Sequence, residues 1–210
     1  MSPPFEYAVN IVFGYLLGSV PFGLVIGYIW LRRDIREAGS GKTGATNVLR
    51  TAGKIPAGLV VIGDISKGVL PALIGRFVFD SPGVAAAGAA AAIVGHVLPV
   101  FAGFRGGRGV ATSFGGVLGL MPLVAVAFPV LAVVVIAATR YVSLMSVLVT
   151  PIAALIVLAV VVADVEPPVY LLYAAFAVAM IEYMHIPNIR RLLAGTEPRI
   201  GSGGDRPATG

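Results

Sequence analysis

Cysteine is absent from the 210-residue chain, which excludes a disulfide framework, a thiol nucleophile and any cysteine-bound metal. Histidine occurs only twice, and two histidines with no nearby trio of carboxylates make a poor zinc site; neither a metal nor another cofactor is expected. Charge is scarce too. Lys, Arg, Asp and Glu make up 12% of the residues, against roughly a quarter in a soluble domain. Apolar residues, 58% of the chain, take their place. Segments 84–104, 109–139 and 141–163 carry one charge or none, and each is near or above the ~20 residues that cross a hydrocarbon core. The composition describes an all-α integral membrane protein with membrane lipids around it and no nucleic-acid partner.

Apolar runs, interrupted at Pro, Gly and charge, predict helices at about 6–31, 55–77, 84–102, 110–120, 122–138, 142–163 and 169–186. That makes about seven transmembrane helices. The fourth, VATSFGGVLGL, is about half the usual length and reads as a short or broken helix held inside the bundle; five full crossings with a re-entrant pair is the rival count. The opening stretch has no basic n-region and is too long for a signal-peptide core, so it is expected to stay as the first helix, kinked at Pro21. Residues 1–200 read as one polytopic domain. The last ten, 201–210, are rich in Gly, Pro and Ser and read as a disordered tail.

Cytoplasmic loops are enriched in Lys and Arg. With the N-terminus outside and the C-terminus cytoplasmic, Arg32, Arg33, Arg36, Lys42, Arg50, Lys54, Arg105, Arg108, Arg140, Arg190 and Arg191 all fall in the cytoplasm, and only Arg76 opposes the rule. The G-x-x-x-G pairs Gly14/Gly18, Gly23/Gly27 and Gly115/Gly119, with the Ala-rich run 85–92, are expected to let helices approach closely.

This topology gathers three polar or glycine-rich segments on one face: GSGKTGATNVLR (39–50), GHVLPVFAGFRGGRGVAT (95–112) and HIPNIRRLLAG (185–195). The GSGKT inside the first suggests the phosphate loop of an ATPase, but Arg36 stands where the leading glycine of G-x-x-x-x-G-K-[ST] belongs, and membrane helices replace the required soluble strand–loop–helix unit. The chemistry still suits a phosphate. Gly41 and Gly44 free the backbone to aim N–H groups at an anion, Ser40, Thr46 and Asn47 add neutral donors, and Arg50 adds a forked cation. In the second segment Arg105 and Arg108 flank Gly106 and Gly107, and Gly109 precedes the short helix, whose N-terminus is itself an anion site. A basic loop lying on anionic lipid is the plainer alternative for either segment.

Asp64 and Lys67, three apart on one helical face, are expected to neutralise each other, and His96 to be a hydrogen-bonded interior histidine. His185 reads as the end of the last crossing, with Pro187 turning the chain before Asn188 and Glu182 one turn earlier orienting its neighbours.

Together these segments resemble the bacterial acyl-phosphate:glycerol-3-phosphate acyltransferases of the PlsY type. The resemblance covers nearly the whole chain: GSVPFG, SGKTGATNVLR, DISKG, GHVLPVFAGFRGGRGVAT and HIPNIRRLLAGTEPRIG, in that order. It implies a seven-helix enzyme of the bacterial inner (plasma) membrane. Its active site lies on the cytoplasmic side and makes lysophosphatidic acid from acyl phosphate and glycerol 3-phosphate, with no acyl-CoA or acyl carrier protein as direct donor. It also implies catalytic roles for Ser40, Arg50, His185 and Asn188, with substrate binding by Gly41, Gly44, Thr46, Asn47 and the loop Arg105–Gly109. Three positions depart from the family's pattern: Lys42 where Asn is usual, Arg108 where Lys is usual, and Ile186 where Arg follows the histidine. Arg for Lys keeps the charge and changes the fork geometry.

An acyl phosphate already carries a good leaving group, so positioning matters more than acid assistance. Two phosphorylated substrates account for two glycine-rich basic loops. The attacking hydroxyl's proton goes either to His185 or to a phosphate oxygen of a substrate, and direct transfer is expected over an acyl-enzyme at Ser40. A small transporter of a phosphorylated anion is the rival class; it would bind near the bilayer midplane and often show internal repeats, and neither is legible here. A monomer is expected, since seven short crossings can enclose a site.

Overall fold

The structure, a computed structural model, describes residues 2–200; the tail expected at 201–210 lies outside the described residues. The described residues form helices and no strand. In order they are α1 (Pro3–Gly18), α2 (Phe22–Leu31), α3 (Ala45–Ala52), α4 (Lys54–Phe77), α5 (Pro82–Val97), α6 (Val110–Leu120), α7 (Pro122–Ala125), α8 (Ala127–Thr139), α9 (Val142–Val162) and α10 (Val169–Leu193). Among the described residues, six segments are long and apolar enough to span a bilayer: Pro3–Leu31, Lys54–Phe77, Pro82–Ala102, Pro122–Thr139, Val142–Val162 and Val169–Leu193. The seventh apolar segment, Val110–Leu120, is shorter and packs inside the bundle, with Gly115, Gly116, Val117 and Leu120 all buried.

The expected kink at Pro21 is a full break. Helix α1 stops at Gly18, helix α2 restarts at Phe22, and the Val20 carbonyl between them accepts a hydrogen bond from Lys67 Nζ (3.1 Å). A buried lysine on α4 thus satisfies the backbone that the break exposes inside an apolar bundle. Pro71, Pro151 and Pro187, by contrast, sit within continuous helices.

Small residues set the helix spacing. A Cβ at Gly14 or Gly18 would run into the backbone of Gly88 or Ala92, so α1 and α5 touch backbone to backbone. Gly68 and Gly115 do the same between α4 and α6. Gly23 and Gly27 depart from the expected helix–helix role: they receive the Thr43 carbonyl and the Ile35 side chain, and so seat the loop that follows α2. Asn10 of α1 donates to the carbonyls of Pro71 (3.0 Å) and Val84 (2.8 Å), tying α1 to both α4 and α5.

Arg76, the exception to the charge rule, donates to the Gly119 and Leu120 carbonyls (2.8 and 2.9 Å) at the C-terminus of α6. A guanidinium on unpaired C-terminal carbonyls is favourable in both hydrogen bonding and helix dipole, so this residue answers to the short helix rather than to membrane orientation.

Candidate functional site

The first loop runs between α2 and α4 and contains α3, a helix that apolar runs alone do not reveal. Val48 of α3 is buried with Ile35, Ala57 and Val60, which fixes α3 against α2 and α4. Asn47 organises the loop before it. Its Oδ1 accepts the Ser40 N–H (2.7 Å), and its Nδ2 donates to the carbonyls of Ile35 (2.8 Å), Lys42 (2.9 Å) and Ala38 (3.2 Å). Gly39 and Gly41 take left-handed backbone (φ 61° and 67°), and a Cβ on Gly39 would collide with Asn47 Oδ1. The Asn47 side chain, expected at the substrate, lines the cavity described below and presents Ser40 there.

Arg36, the residue that defeats the ATPase reading, is a strut between loops. Asp34 holds it through Nε and NH2, and its NH1 donates to the Ala102 carbonyl (3.0 Å) where the second loop begins. Those hydrogen bonds from Arg36 hold the Asp34 carboxyl below its usual range, against the opposing effect of burial.

The second loop folds back onto the end of α5. Gly107 N–H donates to the His96 carbonyl (3.2 Å). A side chain on Gly106 would strike that carbonyl, and one on Gly107 would strike His96 Nε2. Gly109, at φ 84°, is the N-cap of α6. These glycines are therefore demanded first by close packing. Arg108, between them, makes no hydrogen bond to the described residues. Burial lowers its pKa, Glu197 opposes that, and nearby Arg191 and Arg50 lower it further. A guanidinium crowded by two others gains when an anion arrives.

The last crossing does not turn at Pro187, as expected, but continues to Leu193. The reason is that a bundle-embedded helix tolerates proline once its neighbours satisfy the freed carbonyl. His185 and Asn188 therefore stay three apart on one helical face, both buried (1% and 2% exposed). His185 Nδ1 lies 2.8 Å from the Ile181 carbonyl, which can only accept, so Nδ1 carries the proton and Nε2 remains for chemistry. Asn188 Nδ2 donates to Glu197 Oε1 (2.6 Å), and Arg191 Nε lies 2.7 Å from Glu197 Oε2. Burial acts to raise the Glu197 pKa. The Ser143 hydroxyl beside it, which falls short of hydrogen-bond geometry, and the bonds from Asn188 and Arg191 outweigh that and hold it below the usual range. Asn188 Oδ1 and Ser143 Oγ are both buried without a partner among the described residues.

Residues of both loops and of α10 line one cavity of about 470 Å³. Its polar end holds Ser40, Lys42, Gly44, Thr46, Asn47, Arg50, Arg108, Gly109, His185 and Asn188, and the N-terminal turns of α3 (Gly44–Thr46) and α6 (Gly109–Ala111) both open into it. The cavity continues between apolar side chains including Phe114, Val117, Phe128, Met145, Val149 and Val157. Of the expected site residues, Gly41, Arg105 and Gly106 line a neighbouring groove instead, with Phe104 and Tyr183, and Lys42 reaches both spaces. Gly107 lines neither and packs on His96. Sequence reasoning missed Ser143 and Glu197, and did not place Asp64 and His96 at the cavity wall.

A family model described as glycerol-3-phosphate acyltransferase matches residues 8–195. A glycerol-3-phosphate acyltransferase from Rubrobacter xylanophilus is 43% identical over 196 residues, covering 92% of this chain and 96% of that protein. One from Shouchella clausii is 45% identical over 198 residues, covering 91% and 95%. The crystal structure of PlsY, an integral membrane glycerol 3-phosphate acyltransferase, superimposes in its glycerol 3-phosphate form with a TM-score of 0.85 at 41% identity, covering 93% of this chain and 96% of that one. Its lysophosphatidic acid form gives 0.83 at 40% identity, covering 95% and 97%. Loops, cavity and relatives agree: the chain is a membrane acyltransferase and belongs to the glycerol-3-phosphate acyltransferase family.

Proposed function

We propose that the protein transfers an acyl group from acyl phosphate directly to the 1-hydroxyl of glycerol 3-phosphate, releasing lysophosphatidic acid and inorganic phosphate. The observation that carries this reading is the single cavity, which joins two helix N-termini and the cations Lys42, Arg50 and Arg108 to an apolar extension inside the bundle. Two anion-binding ends suit two phosphoryl groups, and an apolar extension suits one acyl chain. The acyltransferases of known structure, captured with glycerol 3-phosphate and with lysophosphatidic acid, support the acceptor and the product.

In the proposed step the glycerol oxygen attacks the acyl carbon, its C–O bond forms, and the acyl C–O bond to phosphate breaks with the electron pair leaving on phosphate. The hydroxyl proton passes to His185 Nε2, already freed by the Nδ1 bond to Ile181, or to a phosphate oxygen. Asn188 Oδ1 and Ser143 Oγ, unpartnered at the same wall, suit the acceptor's hydroxyls, while Ser40, Thr46 and the cations hold phosphate. Proximity supplies much of the rate, and N–H groups and guanidiniums offset the charge developing on oxygen. The site faces the cytoplasm of the bacterial inner membrane, the N-terminus lies outside, and the monomer suffices because one bundle encloses the cavity.

Ser40→Ala, Arg50→Ala and His185→Ala proteins are expected to insert normally and lose most acyl transfer. Near-normal turnover in all three removes this site assignment.

A further inference from the structure

Asp64, Lys67 and His96 are buried within the membrane-spanning helices (3%, 2% and 5% exposed), and the transfer described above uses none of them. Buried charge in a bilayer is costly and is kept where it acts. Asp64 Oδ1 lies 2.9 Å from Lys67 Nζ and 3.4 Å from His96 Nδ1, and the same Nδ1 lies 3.2 Å from Thr112 Oγ1. Lys67 balances the carboxylate and also caps the Val20 carbonyl at the α1–α2 break. That accounts for Lys67, but it leaves open why the carboxylate also reaches a histidine.

The geometry answers through the tautomer. A carboxylate only accepts, so the proton facing Asp64 belongs to Nδ1, which fixes the orientation of the ring. On the Nε2 side lies Gly107, so close that a Cβ there would collide with the ring nitrogen, while the Gly107 N–H donates to the His96 carbonyl (3.2 Å). One residue thus braces Gly107, its carbonyl accepting the N–H and its ring packed where a Cβ would stand, and its one Nδ1 proton is shared between Asp64 Oδ1 and the hydroxyl oxygen of Thr112 in the first turn of α6. Between those two fixed points stand Arg108, Gly109 and the N-terminus of α6, all at the cavity wall.

We propose that Asp64 and His96 are a positioning pair for the second loop: Asp64 fixes the proton and orientation of the His96 ring, and His96 holds Gly107 and Thr112 so that Arg108 and the α6 N-terminus face a bound phosphate. The role of that phosphate in acyl transfer rests on the proposed function; the positioning does not. If the pair acts through Arg108, its loss and the loss of Arg108 are one event and do not add.

The test is a double-mutant cycle read by phosphate binding and, separately, by turnover. Inorganic phosphate is titrated against the intact protein in detergent or lipid, with thermal stabilisation as the readout, for wild type, His96→Asn, Arg108→Ala and the double variant. Asp64→Asn with Lys67→Met, which removes both members of the ion pair together, serves if His96→Asn fails to fold. The expected result is at least a tenfold loss of phosphate affinity in each single variant, with the double variant within about threefold of Arg108→Ala. In turnover, the KM for one phosphorylated substrate rises tenfold or more while the other is little changed, a split that general destabilisation does not produce. Additive losses, wild-type affinity in His96→Asn or the ion-pair variant, or no phosphate stabilisation of the wild type overturns the proposal. Coupled phosphate binding with no acyl transfer by the wild type would leave the positioning pair standing and remove the reaction instead.

Discussion

Replacing Asn47 with alanine separates a loop organiser from a substrate ligand. The Asn47 amide serves Ser40 N–H through Oδ1 and shares two protons among the carbonyls of Ile35, Ala38 and Lys42, so about three effective hydrogen bonds are lost in a residue only 1% exposed. At roughly 1 kcal/mol per net bond, the ordered loop loses about 3 kcal/mol, or on the order of a hundredfold in population. The loop lies at one end of the bundle, so the helices should melt within a few degrees of wild type while kcat/KM falls about a hundredfold. A lone ligand bond would instead raise the KM for glycerol 3-phosphate by about tenfold and leave kcat intact. Asn47→Asp sharpens the contrast. It keeps the acceptor for Ser40 but sets a carboxylate among three carbonyl oxygens, so it should be no better than alanine. The assay is steady-state acyl transfer in lipid alongside a thermal melt. Asn47→Ala within about threefold of wild type in kcat/KM would refute the scaffold argument.

Two further perturbations follow from the same contacts. Gly107→Ala should abolish activity because the new Cβ meets His96 Nε2, whereas Gly58→Ala, on the exposed side of α4 with nothing within 4 Å of the added carbon, should stay within a few-fold of wild type; paired activity measurements check the difference. The folded pKa of Glu197 is depressed, so its contribution to stability is present above the usual carboxylate range and is lost as pH falls through the folded value. Glu197→Gln should therefore melt lower than wild type near neutrality and converge with it only once pH falls below that depressed value; parallel curves from neutrality into that acid range would show that the Asn188–Glu197–Arg191 contacts add nothing.

Much of this was legible in the sequence, for reasons that also mark the limit. Hydropathy located all seven apolar segments because burying twenty side chains in lipid is a local requirement. The scarcity of Lys and Arg elsewhere grouped the loops that meet at the cavity. The buried Asp64–Lys67 pair followed from helical spacing alone. Helix α3 escaped because it is short and amphipathic, stabilised by Val48 against α2 and α4 rather than by its own apolar run. Pro187 misled because proline signals a turn in water but is carried through a helix packed among others. Glu197 acts only through tertiary contacts with α10, and Ser143 only by facing the cavity from α9; the available sign for Glu197 was a single carboxylate among Arg190, Arg191 and Arg199. Asn47 showed its importance but not its backbone partners, since sequence distinguishes a donor from an apolar residue but not which groups it will meet.

The central claim, direct transfer from acyl phosphate to glycerol 3-phosphate in this cavity, is tested most directly by the donor. Purified protein in lipid is given labelled glycerol 3-phosphate with acyl phosphate, acyl-CoA or acyl carrier protein in turn, and lysophosphatidic acid is measured. The account predicts product with acyl phosphate alone, one inorganic phosphate released per acyl group transferred, and no acylated protein trapped on quenching. Product only with a thioester donor, or no product together with glycerol 3-phosphate flux into vesicles, would contradict it.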